Sequence, residues 1–349
     1  MKDAETPSRD GGSDSGAIVR KSKGSGRAVW VPVLAGAIYG LLMRLAFGGL
    51  TFVSPWLNFS SDTAFVMSTG FVLMTPVVLG AVTVYVMRAA PGRPGPTWMQ
   101  VVFVPWGAAA LMMVGAMVTL LEGAICVVIL SPVFLVLASI GGVLMNLVLK
   151  TTRVGTLQFG VLAALPLLFT AVEGPLTVER WQRIDRSVVV ETAPDRVWSE
   201  IVAARDIHPE EFPRTWIHLI GVPRPVEGVN HATPQGEVRE SRWERGVHFL
   251  GRVTERVEGR QLAWRYEFSP DSFPPGTMDD HVVIGGRYFD LGETRFTLTP
   301  LDATHTRLDI EAHYRVTSSI NVYAVPVADF LGRDFVDGLL TFYKRRSEG

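Results

Sequence analysis

The stretch Arg186–Val202, RSVVVETAPDRVWSEIV, decides how this chain is read. Its first half, Ser187–Thr192, alternates between small or polar and apolar residues and reads as a strand. Pro194 then stands at the opening of a helix, where its missing N–H leaves no hydrogen bond unmade. Val197, Trp198, Ile201 and Val202 recur at helical spacing, so the second half predicts an amphipathic helix. A strand turning into an amphipathic helix is the start of a module with a water-facing surface. What precedes it is not: from Ala28 to Val172 the sequence is almost continuously apolar. The chain is therefore two regions, and each needs its own solvent.

Downstream of Val202, a broken helical stretch is predicted over His208–Leu219. Six further strands follow, at Glu237–Glu244, Val247–Val257, Gln261–Phe268, His281–Phe289, Glu293–Leu301 and Thr306–Val316. Turn residues separate several of them, as in Glu258–Arg260 and Asp290–Gly292. An amphipathic helix over Ile320–Arg346 closes the chain, with Val325, Phe330, Phe335, Leu339 and Phe342 as core contacts. Val247, Phe249, Gly251 and Val253 share one strand face, and Leu262, Trp264, Tyr266 and Phe268 share another. Thr294, Phe296 and Leu298 pair with Leu308, Ile310, Ala312 and Tyr314 in the same way. The opposite faces carry Arg252, Arg256, Arg265, Glu267, Arg307, Asp309 and Glu311. One apolar and one wet face is the signature of an antiparallel sheet packed on one side.

That order of elements, together with VVVETAPDRVWSEI, WERGVHFLGRVTERVEGRQLAWRYEF and TRFTLTPLDATHTRLDIEAHYRV, resembles the helix-grip superfamily of START-type lipid-binding and polyketide-cyclase-like domains. The resemblance covers Ile184–Glu348, about half the chain. It implies an α+β domain in which a curved antiparallel sheet of about seven strands wraps a long C-terminal helix around an apolar cavity. It also implies binding of a hydrophobic small molecule or lipid, with no metal or cofactor. It implies no particular reaction, because the superfamily spans carriers, sensors and cyclases.

Upstream, five segments approach the about 20 apolar residues that span a bilayer core: Ala28–Val53, Ala64–Met87, Val101–Leu121, Ala124–Leu149 and Val154–Val172. The fifth is short and contains Pro166; only Glu122 and Gly123 separate the third from the fourth. Trp30, Trp56 and Trp98 fall near segment ends, where indole rings favour the headgroup layer. Arg20, Lys21, Lys23, Arg27, Arg88, Arg93, Lys150 and Arg153 lie on one side, whereas Asp62, Glu122 and Glu173 lie on the other. The positive-inside rule then places the N-terminus in the cytoplasm. Five spans put the C-terminal domain outside the cell membrane, although Arg180, Arg183 and Arg186 follow the last span closely. Arg44 lies deep in the first span and reads either as a substrate or ion site, or as a structural residue that pairs with Glu122 or Glu173 or snorkels to the outer surface. The second is favoured because no other charge lies deep in a span. Gly36 and Gly40 offer a small-residue packing face within the bundle. The division that results is a polar tail over residues 1–27, a helical membrane domain over 28–174 and a ligand-binding domain over 178–349.

Candidate chemistry is sparse. The net charge of -1 points to no nucleic-acid partner, and the seven histidines form no metal-ligand spacing. The single thiol, Cys126, sits in an apolar run and reads as packing. Asp279, Asp280 and His281 stand together either as an acid–base group or as a polar strand start, with the latter favoured. Gly285 and Gly286 read as a bend. Glu240 and Arg242 share a strand face, and either enter the cavity to orient a polar head or form an exposed salt bridge. Phe249, Trp264, Tyr266, Phe296 and Tyr314 face the interior. With Glu240 and Arg242 they make up the expected ligand-binding set. Pro270–Met278 and Gly221–Gly236 are expected as loops around the cavity mouth. The leading expectation is a membrane-anchored binder of a hydrophobic ligand. The alternatives are a cyclase or dehydratase using Glu240, Arg242 and His281, or a partner scaffold whose cavity is filled.

Overall fold

A computed structural model describes residues 25–53, 68–89, 95–172, 177–279 and 283–349. Five apolar helices come first: α1 (Ser25–Val53), α2 (Thr75–Ala89), α3 (Trp98–Val118), α4 (Ala124–Thr151) and α5 (Thr156–Val172). A π-helical turn at Gly70–Met74 leads into α2. Four of the apolar stretches are long enough to cross a membrane, at Val29–Leu50, Gly70–Ala89, Trp98–Val118 and Ala124–Thr151. The fifth helix has 17 residues, or about 26 Å at 1.5 Å per residue, short of a core about 30 Å thick.

Small residues set the bundle's spacing. A Cβ on Gly80 would stand 1.9 Å from the Ala138 carbonyl oxygen, and one on Gly141 1.8 Å from that of Val77. The α2 and α4 backbones therefore touch. Gly36 and Gly40 serve the same purpose on α1, lying against Thr83 and Ala108 and against Met112 and Leu79, as expected of that pair. Large apolar residues point outward instead: Trp30, Leu34, Ile38, Leu42 and Leu45 form an exposed stripe along α1. Arg44 is buried and donates to Glu122 Oε1 and the Leu121 carbonyl, each at 2.5 Å. The structural-partner reading of Arg44 is the one observed. Asp62 and Glu173 lie outside the described residues.

The C-terminal half is a single antiparallel sheet of eight strands in the order β1-β8-β7-β6-β5-β4-β3-β2. The strands are β1 (Val178–Val190), β2 (Ala203–Ala204), β3 (Pro225–Thr233), β4 (Gly236–Trp243), β5 (His248–Val257), β6 (Gln261–Glu267), β7 (Phe289–Pro300) and β8 (Thr306–Ser318). Helix α6 (Pro194–Val202) and the single turn α7 (Trp216–Leu219) come between β1 and β3, and α8 (Asn321–Glu348) ends the chain. The sheet curls around α8, a helix-grip arrangement. Register shifts between Val253 and Glu255 and between Leu291 and Thr294 are bulges, which increase local bend and twist. The core between sheet and helices includes Leu262, Leu308, Ile310, Val197 and Ile201, all fully buried.

Four expectations need correction. First, β3 occupies Pro225–Thr233, where a loop was expected. Second, only Trp216–Leu219 of the His208–Leu219 stretch is helical, because Pro213 interrupts it. Third, His281–Phe289 is not a strand where it is described: Gly285, at φ +80°, turns the chain beneath Phe268, and β7 begins at Phe289. Fourth, Phe330 is exposed rather than packed in the core. His281 and Asp280 lie outside the described residues.

Candidate ligand cavity

A cavity of about 260 Å³ lies between the concave face of the sheet and α8. Ile184 on β1, Tyr266 on β6, Leu291 and Thr294 on β7, and Ala312 and Tyr314 on β8 form the sheet wall. Ala328, Leu331, Phe335 and Leu339 of α8 form the other. The remaining wall is shared by the helical bundle, through Val72 before α2 and Ile125, Ile129 and Leu130 on α4, and by Ile217, Ile220, Met278 and Ile284 of the C-terminal half. No Asp, Glu, Lys, Arg or His is among the lining residues described. The polar groups present are hydroxyls. Tyr266 Oη and Thr294 Oγ1 satisfy one another at 2.9 Å, and Tyr323 donates to the Ile129 carbonyl at 2.5 Å. The Tyr314 hydroxyl is buried without a hydrogen-bond partner. Burial, with the Asp329 charge adding to it against Arg333, pushes the Tyr314 phenol up to about 12. It therefore remains an O–H donor near neutrality.

Two contacts lock the bundle to this site. Asp279 Oδ2 accepts the Cys126 N–H at 2.8 Å, so a carboxylate from the C-terminal half caps the first turn of α4. An acidic group is favourable at a helix N-terminus, where free N–H groups converge. Gly123, the residue before α4, has no room for a Cβ beneath that carboxylate. The second contact is the Tyr323–Ile129 bond, next to Pro132. Pro132 has no N–H for the Val128 carbonyl, which Ser131 Oγ satisfies instead at 3.1 Å. An apolar cluster of Ile125, Ile220 and Val222 joins α4 to the segment after α7.

The expected site residues divide into three groups. Tyr266 and Tyr314 line the cavity. Phe249, Trp264 and Phe296 are buried beside it as packing, with Trp264 stacked on Phe296 at 5.2 Å between ring centroids. Glu240 and Arg242 face outward, so their cavity placement is corrected: Arg242 is ion-paired with Glu227 and lies 3.7 Å from Glu240. The inward parity of β4 belongs to Arg239 and Ser241, both buried. Because strand side chains alternate, an inward Arg239 forces Glu240 out.

Among the described residues, Arg239 has no carboxylate partner. Its Nη1 donates to the Ile201 carbonyl at 2.7 Å and to Asn230 Oδ1 at 2.8 Å, and its Nη2 to the Tyr343 hydroxyl at 3.2 Å. Its guanidinium also sits 4.9 Å from the Trp264 ring centre. Gly228 on β3 makes the room, since a Cβ there would stand 2.5 Å from Arg239 Nη2. Of the two segments expected at the mouth, Met278 and Val222 do line the cavity beside α4.

A larger depression of about 460 Å³ lies beside Asp185, Asp309, Glu311 and Asp337. Arg183 pairs with Asp185 and Glu311, Arg186 with Asp337, and Arg307 with Asp309. Those carboxylates are balanced surface charges. Among the described residues, no group of three His, Cys, Asp or Glu is arranged to hold a metal.

No protein-family model matches the sequence, and no curated protein does. Solved structures do resemble the C-terminal half. The Zhui aromatase/cyclase from Streptomyces sp. R1128 is 16% identical, with a TM-score of 0.32, over 48% of this chain and 94% of that one. A START superfamily protein from Mycobacterium smegmatis is 16% identical, with a TM-score of 0.31, over 48% and 97%. Norcoclaurine synthase from Thalictrum flavum, in complex with dopamine and hydroxybenzaldehyde, is 9% identical, with a TM-score of 0.27, over 48% and 86%. The fold assignment itself rests on the strand order and register of this chain.

Proposed function

We propose that this protein is a membrane-anchored binder of a hydrophobic small molecule or lipid. The observation that carries the reading is the apolar cavity between the sheet and α8, to whose last wall bundle helix α4 contributes. The organisation goes with it: a polar tail over 1–27, a membrane domain over 28–174 and a binding domain over 178–349. Tyr266 and Tyr314 are its ligand contacts, with Phe249, Trp264 and Phe296 holding the wall rigid behind them. The N-terminus lies in the cytoplasm. The binding domain lies on the opposite side, at the Glu122 end of the bundle and away from Arg88, Lys150 and Arg153.

A binding role is favoured over a cyclase or dehydratase because the described wall offers hydroxyls and neither a carboxylate nor an imidazole. General acid–base catalysis uses such groups most often, and the wall's Tyr266 and Tyr314, whose pKa values burial raises, are poor bases near neutrality. The volume is just under the about 300 Å³ at which drug-sized sites begin. It fits a chain segment or small ring system rather than a whole phospholipid.

The test is native mass spectrometry and organic extraction of the full chain, purified with its membrane lipids. A discrete apolar adduct is expected, and Ala312→Trp, which fills the cavity from β8, is expected to remove it. An adduct carried equally by a folded Ala312→Trp protein would overturn the reading.

A further inference from the structure

The cavity is closed in part by a membrane helix, α4, which meets the α7 segment and the loop at Met278 there. Ile125, Ile129 and Leu130 lie in the first two turns of α4, a helix whose later turns expose Val136, Ile140, Leu144 and Leu147. The seam between α4 and the start of α8 is held by one side-chain bond, from the Tyr323 hydroxyl to the Ile129 carbonyl. Around that seam the surface is apolar. Leu120 in the α3–α4 turn is 91% exposed, Val322 at the start of α8 92%, and Trp216 and Leu219 on α7 60% and 63%. Single exposed apolar residues are ordinary, but large ones on the α3–α4 turn, on α7 and at the start of α8 suit a surface that meets something apolar. With the outward-facing apolar sides of α1, α3 and α4 beside them in the same molecule, the bilayer is the apolar phase that fits.

The lining fixes the ligand's charge. No ionisable Asp, Glu, Lys, Arg or His side chain is on the described wall, and an unpaired charge taken out of water into such a site is strongly disfavoured. Arg333, the cation near Tyr314, is already paired with Asp329 at 2.6 Å and lies off the wall. What the wall does offer is hydroxyl-bearing side chains, Tyr314, Thr317, Ser318 and Ser319 among them, which suit an uncharged oxygen. We infer that the cavity takes an uncharged, oxygen-bearing bilayer lipid, loaded sideways from the membrane through the α4–α8 seam, with the Tyr323–Ile129 contact as its latch. This inference rests on the binding reading above and adds the ligand class and the route.

The experiment uses the full chain in lipid nanodiscs with two tracer probes of equal chain length, radiolabelled hexadecanol and radiolabelled hexadecyl sulfate. Binding is counted above that of the Ala312→Trp protein, and release is timed into acceptor vesicles. Hexadecanol is expected to be retained at least tenfold better than the permanently charged sulfate, about 1.4 kcal/mol. Tyr323→Phe, which removes only the latch hydroxyl, is expected to release hexadecanol several-fold faster. Equal retention of both probes overturns the ligand class, and an unchanged release rate in Tyr323→Phe overturns the route. If neither probe exceeds the Ala312→Trp level while that protein keeps its fold, the binding reading itself fails.

Discussion

The two halves of this molecule solve the packing problem with opposite surfaces. In the bundle, Gly80 and Gly141 let α2 and α4 touch, and large apolar residues lie both inside, as Phe47, Leu79 and Phe134 do, and outside, as Leu34, Ile38 and Leu42 do. In the C-terminal half, large residues are buried and charges exposed. Leu262, Leu308 and Phe342 lie inside, and Arg252–Glu267 and Arg256–Glu237 pair between neighbouring strands on the sheet's outer face. The difference follows from the solvent. Against lipid there is no gain in hiding a leucine, so helices associate through close contact and backbone approach. Against water, removing apolar area is the main driving term.

A glycine substitution in each half breaks this comparison most visibly. Gly80→Leu would drive side-chain atoms into the Ala138 carbonyl of α4, where backbone has no room to yield. Loss of monodisperse full-length protein from detergent extracts is expected. Gly251→Ala in β5 meets the Trp264 ring at 2.5 Å, a side chain that can shift. Its expected cost is about 1–3 kcal/mol, the usual range for overpacking, read as a lowered Tm with the fold retained. If both variants behaved alike, the bundle would not depend on backbone contact.

The next effect contrasts a buried pair with exposed ones. Arg44 and Glu122 are each largely buried and bonded at 2.5 Å. Arg44→Ala leaves the carboxylate uncompensated, at a cost of about 3–5 kcal/mol, whereas the double replacement Arg44→Leu with Glu122→Leu is expected to recover most of it. Arg252→Ala, on the exposed sheet face, is expected to leave Tm unchanged. Thermal unfolding of the three variants in one detergent gives the comparison. A double variant no better than Arg44→Ala would mean the pair does more than neutralise itself.

What the sequence discloses differs between the halves for the same physical reason. Period and composition expose the apolar segments, α6, β5, β6, β8 and α8, because each obeys one local rule over several residues. β3 is hidden because Pro225 and Gly228 are poor strand formers; Gly228 is there to accommodate Arg239, on a neighbouring strand. β4 is found as a strand, but its parity is hidden because Arg239, Glu240, Ser241 and Arg242 are all polar, so alternation selects no inward face. The exposed Phe330 is misplaced by the same helical spacing that correctly finds Phe342. The cavity's last wall is beyond any local rule. Ile129 and Tyr323 are 194 residues apart, and Asp279 caps a helix 153 residues before it. Only the docking of α4 against the start of α8 and the loop at Asp279 makes those residues neighbours.

The smallest effect lies at the junction of the halves, where His218 sits on α7. Its ring is flanked edge-on by Phe212 and Phe335, and its Nδ1 lies 3.0 Å from the Val222 carbonyl. Burial holds its pKa below the ordinary value, and the nearby Arg224 charge acts in the same direction. The unfolded chain takes up a proton at this histidine as pH falls through about 6.5, while the folded chain does so only at lower pH. Stability from this site is therefore complete above that value and is lost as pH falls from there toward the folded pKa. His218→Gln keeps a hydrogen-bonding group near Val222 and removes the titration. The drop in Tm between pH 7.5 and 5.5 is expected to be smaller in His218→Gln than in the parent protein, because every other titrating group is common to both. Identical drops would mean that His218 is as easily protonated in the folded protein as in water, and that the α7 junction opens to solvent.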